Sequence, residues 1–380
     1  MALSRALGPE GRGILTQIIL WPPIIANIIH AGWAIGITSR VSTNPEQLVG
    51  ISSSATKLGS MLSIIGMIVS YIVISSYGSN VSQSSAALIF LLYIPLATYE
   101  CVNRALLEGS HKFKETSVVR GVFSILNALI ISLVWLFDVL SIEIYIVIYL
   151  STLALSSFVQ LYILRQNTQR SYVDLLIKKG NNDWLRTAIK AIPYVIVTII
   201  VTRLDLIVLT RQFQSNAHEL GLYVAASSIG SGITLIAQSV VYALIPRASQ
   251  NGESYNPKRS SRNLSVGMVI FSIIIALLIL PYGEFLMKIL FGDEFANAGG
   301  YIFPSIVYTA IGGLISIRLS QDAAEGEWRR ASLTFCLLAI LCPLMLYTVN
   351  ISTVSGYVYL MSVVLAIIYF ILNTRIPNDN

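Results

Sequence analysis

The chain has 380 residues, of which 55% are hydrophobic and only 12% are charged, and its formal net charge is +6. Soluble globular proteins carry about 25% charged residues because a hydrated surface needs them, so this composition excludes an ordinary soluble domain and indicates an integral membrane protein. Excess Lys and Arg in membrane proteins collects in cytoplasmic loops, so the positive charge does not indicate a nucleic-acid partner.

Apolar runs long enough to cross a membrane recur along the whole chain. A helix needs about 20 mostly apolar residues to cross roughly 30 Å of hydrocarbon. Eleven runs meet this requirement, at 14–38, 58–77, 86–107, 118–140, 142–164, 190–210, 220–243, 264–283, 301–317, 331–349 and 353–373. The runs lack the alternation of β-strands, and a helix satisfies its own backbone in lipid. The predicted fold is an all-α polytopic membrane protein.

The basic residues predict which side each loop faces. Twenty of the 25 Lys and Arg residues fall in segments on one side, at 40–57, 104–120, 165–190, 247–262, 318–330 and 375. By the positive-inside rule this side is cytoplasmic, and the C terminus lies there. With eleven crossings the N terminus falls outside, where Arg5 and Arg12 would need to be exported. The odd number of crossings therefore predicts a further helix encoded before Met1.

Short motifs recur at a nearly constant distance and predict an internal repeat. Glu108-Gly109 and Glu325-Gly326 each end a run on the cytoplasmic side, 217 residues apart, and Gly13 and Gly221 begin similar runs 208 residues apart. Parallel duplication of a six-helix unit is a known transporter architecture. An offset of 208 residues between the halves places the counterpart of run 190–210 before Met1.

The repeat divides the chain into two pseudo-repeated bundles. We predict an N-terminal lobe at 1–164, a cytoplasmic linker at 165–189 and a C-terminal lobe at 190–380. The linker is polar and basic, with a short apolar stripe at 172–176. Such a stripe is expected to lie on the inner membrane surface.

Motifs of soluble-type enzymes, metal sites and cofactor sites do not occur in the sequence. The three cysteines lie inside apolar runs without a CxxC pair, and the three histidines have no histidine partner at helical spacing. A Walker lysine loop, an HExxH motif and a glycine loop with dinucleotide spacing are also absent. We therefore predict that the protein is not an enzyme and needs no metal or cofactor.

Four stretches of the chain resemble one family of transporters. They are RALGPEGRG at 5–13, the run 192–205 with ELGLYVAA at 219–226, IPRAS at 245–249, and LFGDEFANA at 290–298. These stretches are similar to signatures of the Wzx-type flippases of O-antigen and other polysaccharide repeat units. Those flippases belong to the multidrug/oligosaccharidyl-lipid/polysaccharide (MOP) exporter superfamily.

The resemblance implies a function as well as a fold. It implies two six-helix lobes around a cavity that opens alternately to each side of the bacterial cytoplasmic membrane. The implied cargo is an undecaprenyl-diphosphate-linked oligosaccharide, flipped to the outer leaflet for surface polysaccharide or lipopolysaccharide synthesis. The expected partners are this lipid-linked substrate, membrane lipids, a coupling cation (H⁺ or Na⁺) and other membrane proteins of polysaccharide assembly.

Polar residues in the runs are candidates for binding this cargo, because unpaired charges are costly in hydrocarbon. The substrate-binding candidates are Arg203, Asp205, Arg104, Arg318 and His30. For Arg104 and Arg318 the alternative is a role in topology, with side chains that reach the headgroups. For His30 the alternative is packing. Glu100 lies one helical turn before Arg104 and is expected to pair with it.

Other functions remain alternatives at this level. A multidrug or cation antiporter of the same superfamily would need an acidic cavity, and only Glu100 and Asp205 are embedded acids of the runs. A membrane polysaccharide polymerase or glycosyltransferase would need a large external loop or domain, whereas the predicted outer loops are short.

Overall fold

The computed structural model describes residues 1–76, 84–168, 182–232, 257–324, 329–348, 351 and 353–373. Within these ranges the chain forms α-helices and short 3₁₀ turns and contains no β-strand. The predicted all-α fold is confirmed. The apolar stripe expected at 172–176 lies outside the described residues.

The helices follow one another with short connections. In chain order they are α1 (Ala2–Ile19), α2 (Trp21–Ile29), α3 (Trp33–Thr43), α4 (Leu48–Ser75), α5 (Ser85–Phe90), α6 (Tyr93–Gly109), α7 (Phe113–Leu136), α8 (Ile142–Thr168), α9 (Asp183–Gln212), α10 (217–232 as far as described), α11 (Pro257–Ile279), α12 (Gly283–Phe291), α13 (Gly299–Ala324), α14 (Arg329–Thr348) and α15 (Val354–Asn373). The 3₁₀ turns are Pro45–Gln47, Leu280–Tyr282 and Asp293–Ala298.

Nine helical stretches in the described ranges are long and apolar enough to cross a membrane, and each overlaps one predicted run. Of the other two runs, 220–243 lies partly outside the described residues, and 331–349 coincides with α14. The chain is therefore a multi-pass membrane protein. Its first stretch is longer than the predicted run 14–38, because helical structure extends over Ala2–Thr43.

The glycine-rich segment near the N terminus is helical rather than an external loop. Gly8 has a positive φ of 65° and marks a kink within α1. Pro9 follows the kink, where its fixed φ suits the first turn of a new helical segment. Two further breaks interrupt the predicted run 14–38. Pro22 and Pro23 lie in the first turn of α2, and Gly32 adopts a left-handed conformation before α3.

Residues 17–195 form one compact unit, in which α6 occupies the centre and packs against α2, α3, α4 and α8. Lipid tails are as apolar as leucine, so helix association in a membrane depends on close packing of small residues. Gly66 of α4 shows this, since an added Cβ would lie 2.4 Å from Ile29 Cδ1 and 3.3 Å from Ile94 Cγ2.

The first turns of α9 belong to this same unit and approach α3 closely. A Cβ on Gly32 would lie 2.2 Å from the carbonyl oxygen of Ala188, and one on Gly36 would lie 2.6 Å from that of Trp184. The indole of Trp184 donates to Ser54 Oγ at 3.1 Å. It also meets Trp33 edge-on, with ring centroids 5.2 Å apart.

The second compact unit contains residues 3–16 together with 196–380. Here α13 is the central helix and packs against α11, α12 and α15. Its apolar core includes Met287, Phe295 and Ile306. Each unit thus has one buried central helix, α6 or α13, as expected for a repeated architecture.

Two glycines that are 208 residues apart, Gly13 and Gly221, form a reciprocal contact between α1 and α10. A Cβ on Gly221 would lie 1.7 Å from the carbonyl oxygen of Pro9, and a Cβ on Gly13 would lie 1.9 Å from that of Ala217. Pro9 and Ala217 are 208 residues apart, the same distance that separates Gly13 from Gly221. The two helices therefore present equivalent positions to each other.

Candidate functional site

Arg203 and Asp205 lie two positions apart on α9, which places them about 200° apart around the helix. Asp205 is 5% exposed, whereas Arg203 is exposed. Arg203 is nine residues from the end of α9 at Gln212, about 14 Å along the axis at ~1.5 Å per residue. Arg203 also falls inside the predicted membrane-crossing run 190–210.

The carboxylate of Asp205 lies among tyrosines from two neighbouring helices. Tyr223 of α10 donates its hydroxyl to Asp205 Oδ2 at 2.7 Å. Among the described residues, the other carboxylate oxygen, Oδ1, is buried and has no hydrogen-bond partner. An unsatisfied buried carboxylate oxygen is costly, and such a group suits a bound cation or proton.

Tyr308 of α13 inserts into the backbone of α9 beside Asp205. Its hydroxyl donates to the carbonyl oxygen of Val201 at 2.7 Å and accepts from the amide of Asp205 at 3.2 Å. These are the two backbone groups that a regular α-helix joins to each other. Tyr308 therefore fixes this turn of α9, and Asp205 with it, against α13.

The guanidinium of Arg203 is not paired within the part of the chain that the structure describes. It forms no ion pair there, and the hydrogen bonds that the neighbouring turns make do not involve it. Exposed charge at membrane depth is expensive unless it faces water or a ligand. Arg203 is therefore available to bind an anion.

A second polar cluster lies in the unit of residues 17–195. His30 is the residue that follows α2, and its imidazole and the Arg104 guanidinium both lie close to the thiol of Cys101. Arg104 Nε lies 3.9 Å from Glu100 Oε1, so the pair expected from helical spacing is present. Gln160 of α8 donates to the same Glu100 oxygen at 3.4 Å. Arg104 is thus largely neutralised by its own helix.

Arg318 belongs to a third cluster, near the end of α13. Arg318 donates to Gln321 at 3.0 Å and lies 3.5 Å from Asp322. Asp322 is 1% exposed and also pairs with Arg330 of α14 at 2.9 Å. This arrangement of two cations around a buried carboxylate ties α13 to α14.

The structure thus brings His30 and Arg104 together but keeps Arg318 in a separate ion cluster. Arg203 and Asp205 share a helix and face different sides. Sequence reasoning missed Tyr223 and Tyr308, although Tyr223 belongs to the ELGLYVAA stretch. Nothing in the sequence marks Tyr308, because its role depends on the approach of α13 to α9.

Nearly continuous transmembrane helices, organised in two units each with a buried central helix, define a multi-pass membrane protein. The chain belongs to the polysaccharide biosynthesis protein family, whose sequence profile matches residues 1–252. No curated protein matches the chain in sequence.

Solved structures of three transporters resemble the chain. An inward-facing multidrug resistance MATE family transporter of the MOP superfamily has a TM-score of 0.69 and 12% identity, covering 97% of this chain and 91% of its own. The lipid II flippase MurJ, in an inward closed conformation, has a TM-score of 0.70 and 13% identity, with coverage of 98% and 84%. A eukaryotic MATE transporter has a TM-score of 0.60 and 13% identity, with coverage of 98% and 86%.

At these identities the likeness establishes the fold. The predicted fold, which these transporters share, is confirmed. The resemblance to proteins of polysaccharide synthesis agrees with the family to which the chain belongs.

Proposed function

We propose that this protein is an alternating-access transporter of the bacterial cytoplasmic membrane. In this proposal it flips undecaprenyl-diphosphate-linked oligosaccharide repeat units to the outer leaflet for surface polysaccharide synthesis and has no catalytic activity of its own. The observation that carries the proposal is the exposed guanidinium of Arg203, nine residues before the end of α9, which forms no ion pair with a described residue. A diphosphate cannot enter hydrocarbon without such a partner, and guanidinium binds phosphate oxygens in a bidentate manner.

Membership of the polysaccharide biosynthesis family and the fold shared with a lipid II flippase support the proposal. The fold shared with MATE transporters supports the alternative, a multidrug or cation antiporter. The charges favour the flippase. Of the two acids identified above as embedded in the runs, Glu100 is paired with an arginine, and Asp205 forms no ion pair with a described residue.

Purified protein in proteoliposomes distinguishes the two functions. We expect a fluorescent undecaprenyl-diphosphate oligosaccharide to move between leaflets, as measured by its accessibility to a membrane-impermeant reductant. Ethidium, an organic cation, should not be transported. Movement of ethidium without movement of the lipid-linked oligosaccharide would favour the antiporter and contradict the proposal.

Asp205 is proposed to bind the coupling cation, H⁺ or Na⁺, since its Oδ1 is buried without a partner among the described residues. Asp205→Asn keeps the size of the side chain and the contact with Tyr223 but removes the negative charge. We expect basal flipping to continue in proteoliposomes, while its acceleration by an imposed H⁺ or Na⁺ gradient is lost.

Glu219→Gln is the matched control, because Glu219 also accepts a tyrosine hydroxyl, from Tyr301 at 2.5 Å, but is only partly buried. This variant should respond to the gradient as the wild type does. An Asp205→Asn protein that keeps the full gradient response would show that the cation binds elsewhere.

A further inference from the structure

A polar cleft lies within the unit of residues 17–195, apart from Arg203 and Asp205. It has a volume of about 370 Å³ and opens between α6, α7 and α8. Small-molecule sites range from roughly 300 to 1,000 Å³, so the cleft has room for a sugar-sized ligand. Its polar and aromatic lining includes Tyr93, Glu100, Arg120, Asn127, Tyr149 and Ser156.

The pattern of α7 explains why the cleft is polar. Arg120, Ser124 and Asn127 follow helical spacing and lie on the face that lines the cleft. The other face is apolar and exposed, as expected for contact with lipid, through Val118, Val122, Ile125, Leu129 and Leu133. Asn127 is 14 residues from the start of α7, about 21 Å along its axis at ~1.5 Å per residue. A polar side chain so deep in a membrane helix indicates a function.

Three of the lining groups keep unused hydrogen-bonding capacity. Asn127 donates its amide to Thr152 Oγ1 at 2.7 Å, and its carbonyl oxygen makes no hydrogen bond to a described residue. Glu100 uses Oε1 towards Gln160 and Arg104, while Oε2 has no such contact. Arg120 forms no ion pair within the described ranges. The cleft therefore offers an amide acceptor, a carboxylate acceptor and a guanidinium donor.

Aromatic rings form one wall of the cleft. Tyr93 and Tyr149 are nearly parallel, with centroids 6.0 Å apart and planes at 16°. Phe90 stacks on Tyr93 at 5.4 Å, and Tyr145 stacks on Tyr149 at 6.2 Å. Stacking of this kind fixes the rings. The electron-rich faces and edges of such rings attract the weakly polar C–H groups of a sugar.

We propose that this cleft is a saccharide-binding site that holds a sugar ring of the transported molecule. The tyrosines contact the carbon skeleton, and the sugar hydroxyls donate to Glu100 and Asn127 and accept from Arg120. Carboxylate, amide and guanidinium groups together match hydroxyls, which both donate and accept. The site rests on the proposed transport of lipid-linked oligosaccharides. It gives the oligosaccharide a binding site separate from the one that Arg203 offers to the diphosphate.

The test measures the binding of two soluble probes to the full chain in nanodiscs by isothermal titration calorimetry. One probe is the free oligosaccharide released by mild acid from the lipid-linked pool of the host cell, and the other is inorganic pyrophosphate. Asn127→Leu and Glu100→Gln should weaken oligosaccharide binding roughly tenfold or more, the effect of losing one hydrogen bond to a buried polar group, and leave pyrophosphate binding unchanged. Arg203→Ala should show the opposite pattern.

Ser132→Ala is the control on α7, because Ser132 is exposed and its hydroxyl bonds only to its own helix, at Ala128. Glu100→Gln preserves the shape of the side chain and carries the test if Asn127→Leu does not fold. Oligosaccharide binding that is absent in the wild type, or equal in wild type and Glu100→Gln, would overturn the saccharide site. Weakened pyrophosphate binding in the cleft variants would show that the cleft binds phosphate, and this result would also overturn the saccharide site. Either result leaves the proteoliposome assay of flipping to decide the proposed function separately.

Discussion

Arg203→Ala is expected to abolish export of surface polysaccharide in cells that depend on this protein, with unchanged abundance in the membrane. The guanidinium is exposed nine residues before the end of α9, and within the described residues no carboxylate pairs with it. Its removal would leave the diphosphate of the cargo without a positive partner. The loss of one charged hydrogen-bonding partner corresponds to roughly 10- to 100-fold in binding.

Arg203→Lys retains the charge but not the planar fork, so we expect partial export. Arg211→Ala is the matched control, because Arg211 lies on the same helix in its last turn and contacts Gln214 at 3.3 Å. Export is measured as surface polysaccharide per unit of membrane protein. Normal export by Arg203→Ala would show that the residue does not bind cargo. If its abundance falls, flipping per purified molecule in proteoliposomes replaces the cellular measurement.

Gly221→Leu is expected to prevent accumulation of correctly folded protein. Even a Cβ at this position would lie 1.7 Å from the carbonyl oxygen of Pro9, so α1 and α10 would have to separate. Overpacking costs typically about 1–3 kcal/mol even where side chains can move, and here the obstacle is backbone. The fraction of monodisperse protein after detergent extraction, and its thermal midpoint, measure the effect.

Gly267→Leu is the corresponding control in α11, because Gly267 is exposed and a Cβ there would meet nothing within 4 Å. Leucine favours helix over glycine by close to 1 kcal/mol, so this variant should be as stable as the wild type or more so. Equal thermal midpoints for Gly221→Leu and the wild type would contradict the close contact between α1 and α10.

Much of the fold is predictable because membrane-crossing length and apolar composition leave few alternatives. Nine of the eleven predicted runs overlap helical stretches that can cross a membrane, since each must satisfy its backbone internally. The breaks at Gly8 and Gly32 within Ala2–Thr43 were not predicted. They depend on these two residues adopting positive φ values, which glycine permits but does not require.

The candidate site was predictable only in part. Charge at membrane depth is rare enough to single out Arg203 and Asp205 from the sequence. Their surroundings come from other helices, through Tyr223 and Tyr308, and hydropathy carries no information about such pairings. For Arg104 and Arg318 the sequence left binding and topology open, and both side chains lie in ion pairs with acids one turn away.

The reciprocal contact of Gly13 and Gly221 bears on the ancestry of the chain. Gly13 approaches Ala217, and Gly221 approaches Pro9, so the same two positions of each half contact each other in both directions. A contact of this form is called isologous and is the kind that closes a two-fold symmetric homodimer. Before duplication and fusion, a gene for a single half would have encoded identical subunits able to pair through this one glycine-lined face. The same glycine would then have had to suit both sides of the interface at once. In a fused chain the two sides could diverge independently, yet glycine occupies both 13 and 221, where each helix approaches the other's backbone.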